Sequence, residues 1–297
     1  MQKALLDHRR PNGIGPGSYD EASYALGYSK HELRRLALQA EFIRDLTEDF
    51  LRRAGLARGM QVLDLGCGVG DVSLIAGQIV GPSGAVLGVD RSREAIEIAE
   101  KRAVEGGQCH WVRFDVAKLE DFDPDRKFDA IIGRLIMMYL PDPGATLRRL
   151  ADRLRPGGIV AFQEMAMSSV RSVPDGSEFR RCRRWILETF ERGGFEVDMG
   201  PKLHTTFLEA GLPAPQMIAA GRVEGGPQSF VYDYVAETLR SLLPFMERLG
   251  IASSEEVQLD TLADRLRAEA TENSACIMPP PLVGAWTRLD VPLNEER

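Results

Sequence analysis

The chain has 297 residues, enough for one large α/β domain with additions. Its 44% hydrophobic and 27% charged content is an ordinary globular balance, and its net charge of -7 argues against non-specific nucleic-acid binding, which depends on neutralising phosphates. The cysteines, Cys67, Cys109, Cys182 and Cys276, are far apart with no C-x-x-C pair, so the expectation is reduced thiols in a cytoplasmic protein, not a disulfide frame or a zinc site.

The N-terminal stretch is polar and punctuated by Pro11, Gly13, Gly15, Pro16 and Gly17, which no signal h-region tolerates, and no apolar run reaches membrane-spanning length. Tyr19, Tyr24 and Tyr28 follow in a short polar cluster. Ser29 and Glu32 have capping-box spacing, so a helix is expected from there to about Arg53, ended by Gly55. Val62, Leu63 and Leu65 read as a strand buried on both faces. It runs into Gly66, Gly68 and Gly70, which permit positive φ and close approach of a ligand. Asp71 stands where a dinucleotide fingerprint needs its third glycine, and a carboxylate beside a pyrophosphate is electrostatically wrong. The pattern D-x-G-x-G-x-G followed by an acid suits a ligand with positive charge and no phosphate.

Further strands are expected at 85–90, 109–115, 128–133, 159–164, 216–223 and 282–288, with helices over 178–192, 201–210, 229–249 and 255–271. Asp90 ends the second strand about 20 residues past the glycines, where a ribose-binding acid belongs. The basic run Arg180, Arg181, Arg183 and Arg184 reads as a solvated helix face. The three prolines at 279–281 cannot sit inside a central strand, so the last strand starts after them.

The glycine stretch resembles motif I of the class I S-adenosylmethionine (SAM) methyltransferases. Asp90, the pair Asp115-Val116, the strand from Phe128 and the Leu154-Arg155-Pro156-Gly157-Gly158 turn before an apolar strand follow in that family's order, over about residues 60–165. The segment Tyr24–Ser29, with Arg35 and Gln39 beyond, is similar to the leader of bacterial small-molecule, natural-product methyltransferases, and the strand 161–165 to those that methylate carbon on indole-type rings. The resemblance implies a doubly wound, seven-stranded Rossmann-like sheet with an antiparallel last strand, plus a helical cap. It divides the chain into a leader with a lid helix (1–58), a SAM-binding core (59–225), a cap insertion (226–275) and a last strand completing the core (276–297). It implies SAM as cofactor, held by Asp64, Gly66, Gly68, Gly70, Asp90, Arg91, Asp115, Val116, Arg134 and Gln39. Asp115 and the Val116 N–H would grip adenine. Tyr28, Met137, Tyr139 and Met278 would face the substrate.

Methyl transfer from a sulfonium requires alignment and exclusion of water, and a base only if the nucleophile must lose a proton. Glu164, at the carboxyl end of the fifth strand, is the first candidate for base or electrostatic stabiliser, with Tyr24 beside it and His204 behind it. No carboxylate–histidine cluster has metal-ligand spacing, so no metal is expected. The Asn/Asp-Pro-Pro-aromatic loop of amine-methylating DNA enzymes is missing after the fourth strand. The reading is therefore an enzyme acting on a small, apolar, aromatic (indole-like) metabolite, with no nucleic-acid or membrane partner and a homodimer left open. A quinone-type or other O-/N-methyltransferase, a protein methyltransferase and a non-catalytic SAM-binding module stand as alternatives.

Overall fold

A computed structural model describes residues 30–289. In chain order the strands are β1 Gln61–Leu65, β2 Ala85–Asp90, β3 Val112–Val116, β4 Phe128–Arg134, β5 Leu154–Met165, β6 Arg171–Val173, β7 Gln216–Ala220, β8 Glu224–Gly225, β9 Cys276–Met278 and β10 Leu282–Leu289. The helices are α1 Lys30–Arg53, α2 Asp71–Val80, α3 Arg93–Glu105, α4 Pro143–Ala151, α5 Ser177–Arg192, α6 Met199–Glu209, α7 Val231–Leu249, α8 Ser254–Val257 and α9 Leu259–Glu272.

Seven strands form one sheet in the order β3-β2-β1-β4-β5-β10-β7. β10 runs antiparallel to both β5 and β7, and the pairs from β3 to β5 are parallel. This is the expected doubly wound sheet with its last strand reversed. Period-two alternation decides the two faces. On β1, Val62 packs with Phe50, Ile75 and Ala99 on one side, while Leu63 and Leu65 pack with Phe128, Leu147 and Phe207 on the other. Helices α1, α2 and α3 thus cover one face, and α4 and α6 cover the other.

A third core lies outside the sheet. Phe179, Cys182 and Trp185 of α5 meet Tyr232, Leu239 and Leu242 of α7 and Leu262 and Leu266 of α9. A small antiparallel sheet, β6-β9-β8, ties this bundle to the chain on either side. The short strands β6, β8 and β9 were not expected from sequence, because two or three residues show no periodicity. The third strand of the main sheet is shorter than expected. Cys109 and His110 fall in the turn before it, where Gln108 accepts backbone hydrogen bonds from Trp111 and Val112.

Candidate active site

A cavity of about 250 Å³ lies across the carboxyl ends of the parallel strands, where α/β sheets bind ligands. One end is backbone and charge. Gly66, Gly68 and Val69 line it after β1, Asp90 and Arg91 at the end of β2, Ala117 after β3 and Arg134 at the end of β4. Gly66 and Gly68 both have left-handed φ, 64° and 51°. A Cβ on Gly66 would run into the Ile136 side chain, whereas a Cβ on Gly68 would meet only open space. The loop is therefore pinned on one side and bare on the other.

Polar contacts hold that end in place. Asp90 accepts the Gly68 N–H through Oδ2 and the Ser92 N–H through Oδ1, each at 2.9 Å. Asp64 lies beneath the loop and accepts the Ser73 hydroxyl at 2.6 Å, fastening α2 to β1. Burial pushes its carboxyl up to about 7 against that hydrogen bond. Arg134, with a side chain 7% exposed, donates to Thr47 Oγ1 at 2.9 Å, and Thr47 donates to Gln163 at 2.8 Å. Its other terminus stands 3.9 Å from Asp71, which also pairs with Arg102 at 2.6 Å. Burial lowers the Arg134 pKa, opposed by Asp71 and Asp64.

The other end is a chamber of side chains. Met138, Tyr139 and Leu140 border it after β4, and Met165 and Met167 after β5. Phe179, Ile186, Leu187 and Phe190 come from α5, Val231, Tyr234 and Val235 from α7, and Ile277 from β9. α1 closes the seam between the two ends with Arg35, Leu36 and Gln39. Gln39 donates to the Tyr234 hydroxyl at 3.0 Å, and Arg35 makes a two-pronged pair with buried Glu32.

The loop joining the two ends is fixed from below. Leu135 takes a left-handed φ of 55°, a conformation a branched side chain adopts only when its surroundings impose it. The next two N–H groups, of Ile136 and Met137, both donate to Glu164 Oε1 at 2.8 Å. Glu164 is fully buried, its Oε2 has no hydrogen-bond partner, and burial raises its carboxyl to about 8 against those two bonds.

Six of the expected cofactor residues come together on the cavity wall: Gly66, Gly68, Asp90, Arg91, Arg134 and Gln39. Asp64 and Gly70 lie under the wall. Asp115 and Val116 do not reach it; they are exposed and border a shallow neighbouring depression with Arg93, and the cavity meets this strand only at Ala117. Of the substrate candidates, Tyr139 lines the chamber. Met137 is buried behind it, leaving the wall to Met138, and Met278 pairs with Arg171 in the small sheet, off the wall. Glu164 is absent from the wall as well, because its carboxylate is turned into the loop backbone. His204 is exposed on α6 and does not line the cavity. Tyr24 and Tyr28 lie outside the described residues. Tyr234 and Arg183 are among the wall residues that were missed. Tyr234 sits in a helix that read simply as amphipathic. Arg183 belonged to the expected solvated face, yet it shares the helical spacing of Phe179, Ile186, Leu187 and Phe190, a signal present in the sequence.

Among the described residues no His, Cys, Asp or Glu cluster could hold a metal, and no helix is long and apolar enough to cross a membrane.

Sheet order and glycine-loop site are similar to those of class I methyltransferase domains, the kind whose cofactor is SAM. Residues 56–190 match the methyltransferase-domain family. The chain is 38% identical over 104 residues to the aklanonic acid methyltransferase DauC of a Streptomyces strain, covering 35% of this chain and 47% of that one. It is 25% identical over 152 residues to the demethylmenaquinone methyltransferase of Anoxybacillus flavithermus, covering 51% and 59%. The chain thus spans about half the length of these curated relatives. In fold it is similar to coclaurine N-methyltransferase bound to N-methylheliamine and S-adenosylhomocysteine (SAH), with a TM-score of 0.50 over 82% of this chain and 72% of that one at 15% identity.

The residues present fit SAM better than a dinucleotide. The open space above Gly68 admits a ligand against bare backbone, and Asp71 occupies the first turn of α2, where a pyrophosphate would otherwise sit. Asp90 and Glu120 stand at this end with Arg91 and Arg134, carboxylates for ribose hydroxyls and a sulfonium and guanidiniums for an amino-acid carboxylate.

Proposed function

We propose that this chain is a SAM-dependent methyltransferase acting on a small, largely apolar, ring-containing metabolite. The observation that carries the reading is the single cavity, which joins a carboxylate-lined glycine loop to an apolar chamber. Bound SAM would supply an electrophilic methyl group and its own leaving group. The chain's residues would do the rest. Asp90 would accept ribose hydroxyls with lone pairs left over from Gly68 and Ser92. Arg134, held by Thr47 and Asp71, would offer a cation to the amino-acid carboxylate. α5 and α7 would exclude water and press the acceptor against the loop.

Among the described residues the chamber wall has no carboxylate or histidine; Asp71, Asp90 and Glu120 all lie at the glycine-loop end. A nucleophile in the chamber must therefore arrive activated. An electron-rich ring carbon or an already ionised oxygen meets that condition, whereas a neutral alcohol does not. Glu164 is then a positioning residue, fixing the backbone of Ile136 and Met137 at the seam. The similarity to a demethylmenaquinone methyltransferase supports a quinol as one such ring; an indole carbon is another. Calorimetry tests the reading. SAH should bind, and NAD should not; tight NAD binding, or no heat with SAH, would overturn it.

A further inference from the structure

Building on the methyltransferase reading, we propose that the chamber selects an acidic apolar metabolite and binds it as the anion, with Arg183 as the group that grips its oxygen. α5 presents Phe179, Arg183, Ile186, Leu187 and Phe190 to the cavity, and every one except Arg183 is apolar. Its neighbours on the wall, Met167 and Val170, are apolar too. A guanidinium does not fall on such a stripe by default, because leaving a donor unpaired in apolar surroundings costs about 1–3 kcal/mol.

Three arginines of α5 are matched by carboxylates, and Arg184, which is not, is exposed to solvent. Arg180 pairs with Asp175 at 2.7 Å, Arg181 with Glu178 at 2.8 Å and Arg192 with Glu188 at 3.2 Å. Arg183 has no carboxylate within ion-pair distance among the described residues; its Nη2 donates to the neutral carbonyl of Ser168 at 3.0 Å. Its Nε is buried and donates to nothing. Of the other guanidiniums on the wall, Arg35 is matched by Glu32 and Arg134 by Asp71, and Arg91 stands at the glycine-loop end. The wall's carboxylates are at the opposite end, so nothing within the chamber competes for Arg183. A half-buried guanidinium with a spare donor, set among apolar residues on the cavity wall, binds an anionic oxygen much better than an alcohol. Anchored there, the substrate's acidic group lies at the cap end and its apolar body extends towards the glycine loop.

Matched pairs of probes test this: hydroxynaphthoic acid against naphthol, and dodecanoic acid against dodecanol. Each is titrated calorimetrically into the full chain, with and without SAH. The acid of at least one pair should bind about tenfold or more tighter than its alcohol, the gain expected of one charge-assisted hydrogen bond. In Arg183→Met, which keeps the apolar stem, that preference should collapse while alcohol affinity and SAH affinity stay at the wild-type level. Arg183→Lys should recover part of it. If no acid outbinds its alcohol in the wild type, or if the preference survives in Arg183→Met, the proposal fails. The wild-type comparison alone decides the matter should the variant fold poorly. Failure of SAH to bind would sink the methyltransferase reading separately, since acid preference is read in its absence as well.

Discussion

At the glycine-loop end the cavity wall is backbone and charge, and the glycine loop itself is held by hydrogen bonds between residues at most 22 apart in sequence. Asp90 binds Ser92 and Gly68, and Asp64 binds Ser73. At the chamber end the wall is side chain and mostly apolar, assembled from α1, α5, α7 and β9, which are spread along the chain from Lys30 to Met278. A short loop fixed by a few polar bonds reproduces one geometry for one cofactor. A wall of packed side chains changes shape with each substitution and leaves the loop untouched. The difference makes the two ends separable by mutation, and Glu164 is the exception because it holds the seam.

The largest effect should come from that seam. Glu164→Leu leaves the Ile136 and Met137 N–H groups buried and unpaired, at about 1–3 kcal/mol each. Chemical denaturation should show a loss of several kcal/mol, with SAH and probe binding both weakened. Glu164→Gln keeps the Oε1 acceptor and should retain most of both. It should also change the pH profile. The folded carboxyl titrates near 8, above its value of 4.5 when exposed, so the folded state holds a proton that the unfolded state has lost. This contribution to stability is complete below pH 4.5 and is lost as pH rises through 8. Asp64 adds the same sign between 3.8 and about 7. Wild-type melting temperature should therefore fall from pH 5 to pH 8.5, and less steeply in Glu164→Gln. Equal slopes would show that Glu164 is ionised throughout.

Asp90→Ala comes next. It removes a charge-assisted ribose contact and should weaken SAH by about 1.5–3 kcal/mol while leaving the affinity of an apolar probe unchanged. Loss of both affinities together would mean that the two ends are one cooperative unit. The converse variant is Leu187→Trp, which adds bulk to the chamber wall. Probe affinity should fall about tenfold or more with SAH unaffected, since overpacking is local. The smallest effect belongs to Tyr234→Phe. It deletes the Gln39 hydrogen bond between α1 and α7, worth about 0.5–1.5 kcal/mol, and should speed amide exchange around residue 39 without changing SAH affinity by more than a few-fold. Unchanged exchange would show that packing of Phe42 on Phe230, with ring centroids 4.4 Å apart, is what joins these helices.

The sequence by itself determined the cofactor end. Strand, glycine turn and acid are contiguous there. Few local structures besides a ligand-binding turn call for closely spaced glycines after a buried strand and a carboxylate ending the next one. Gly66, Gly68 and Asp90 were therefore readable before any tertiary contact was known. The strands were legible as apolar runs and the prolines set where the last one starts, while its reversed direction came from the resemblance to class I methyltransferases. Only the tertiary structure decided which way side chains point at the far end. Glu164 looked like a base because it ends a strand, yet the loop after β4 crosses over it and takes its carboxylate. Asp115 comes one residue before the end of β3, level with Val89 where Asp90 is level with Val116, and borders a different depression. Arg183 looked solvated along with the rest of the basic run, yet it borders the chamber that α5 forms with α7 and β9. Periodicity records that a helix has an apolar side; what covers that side is set by segments far along the chain, and no local pattern carries that information.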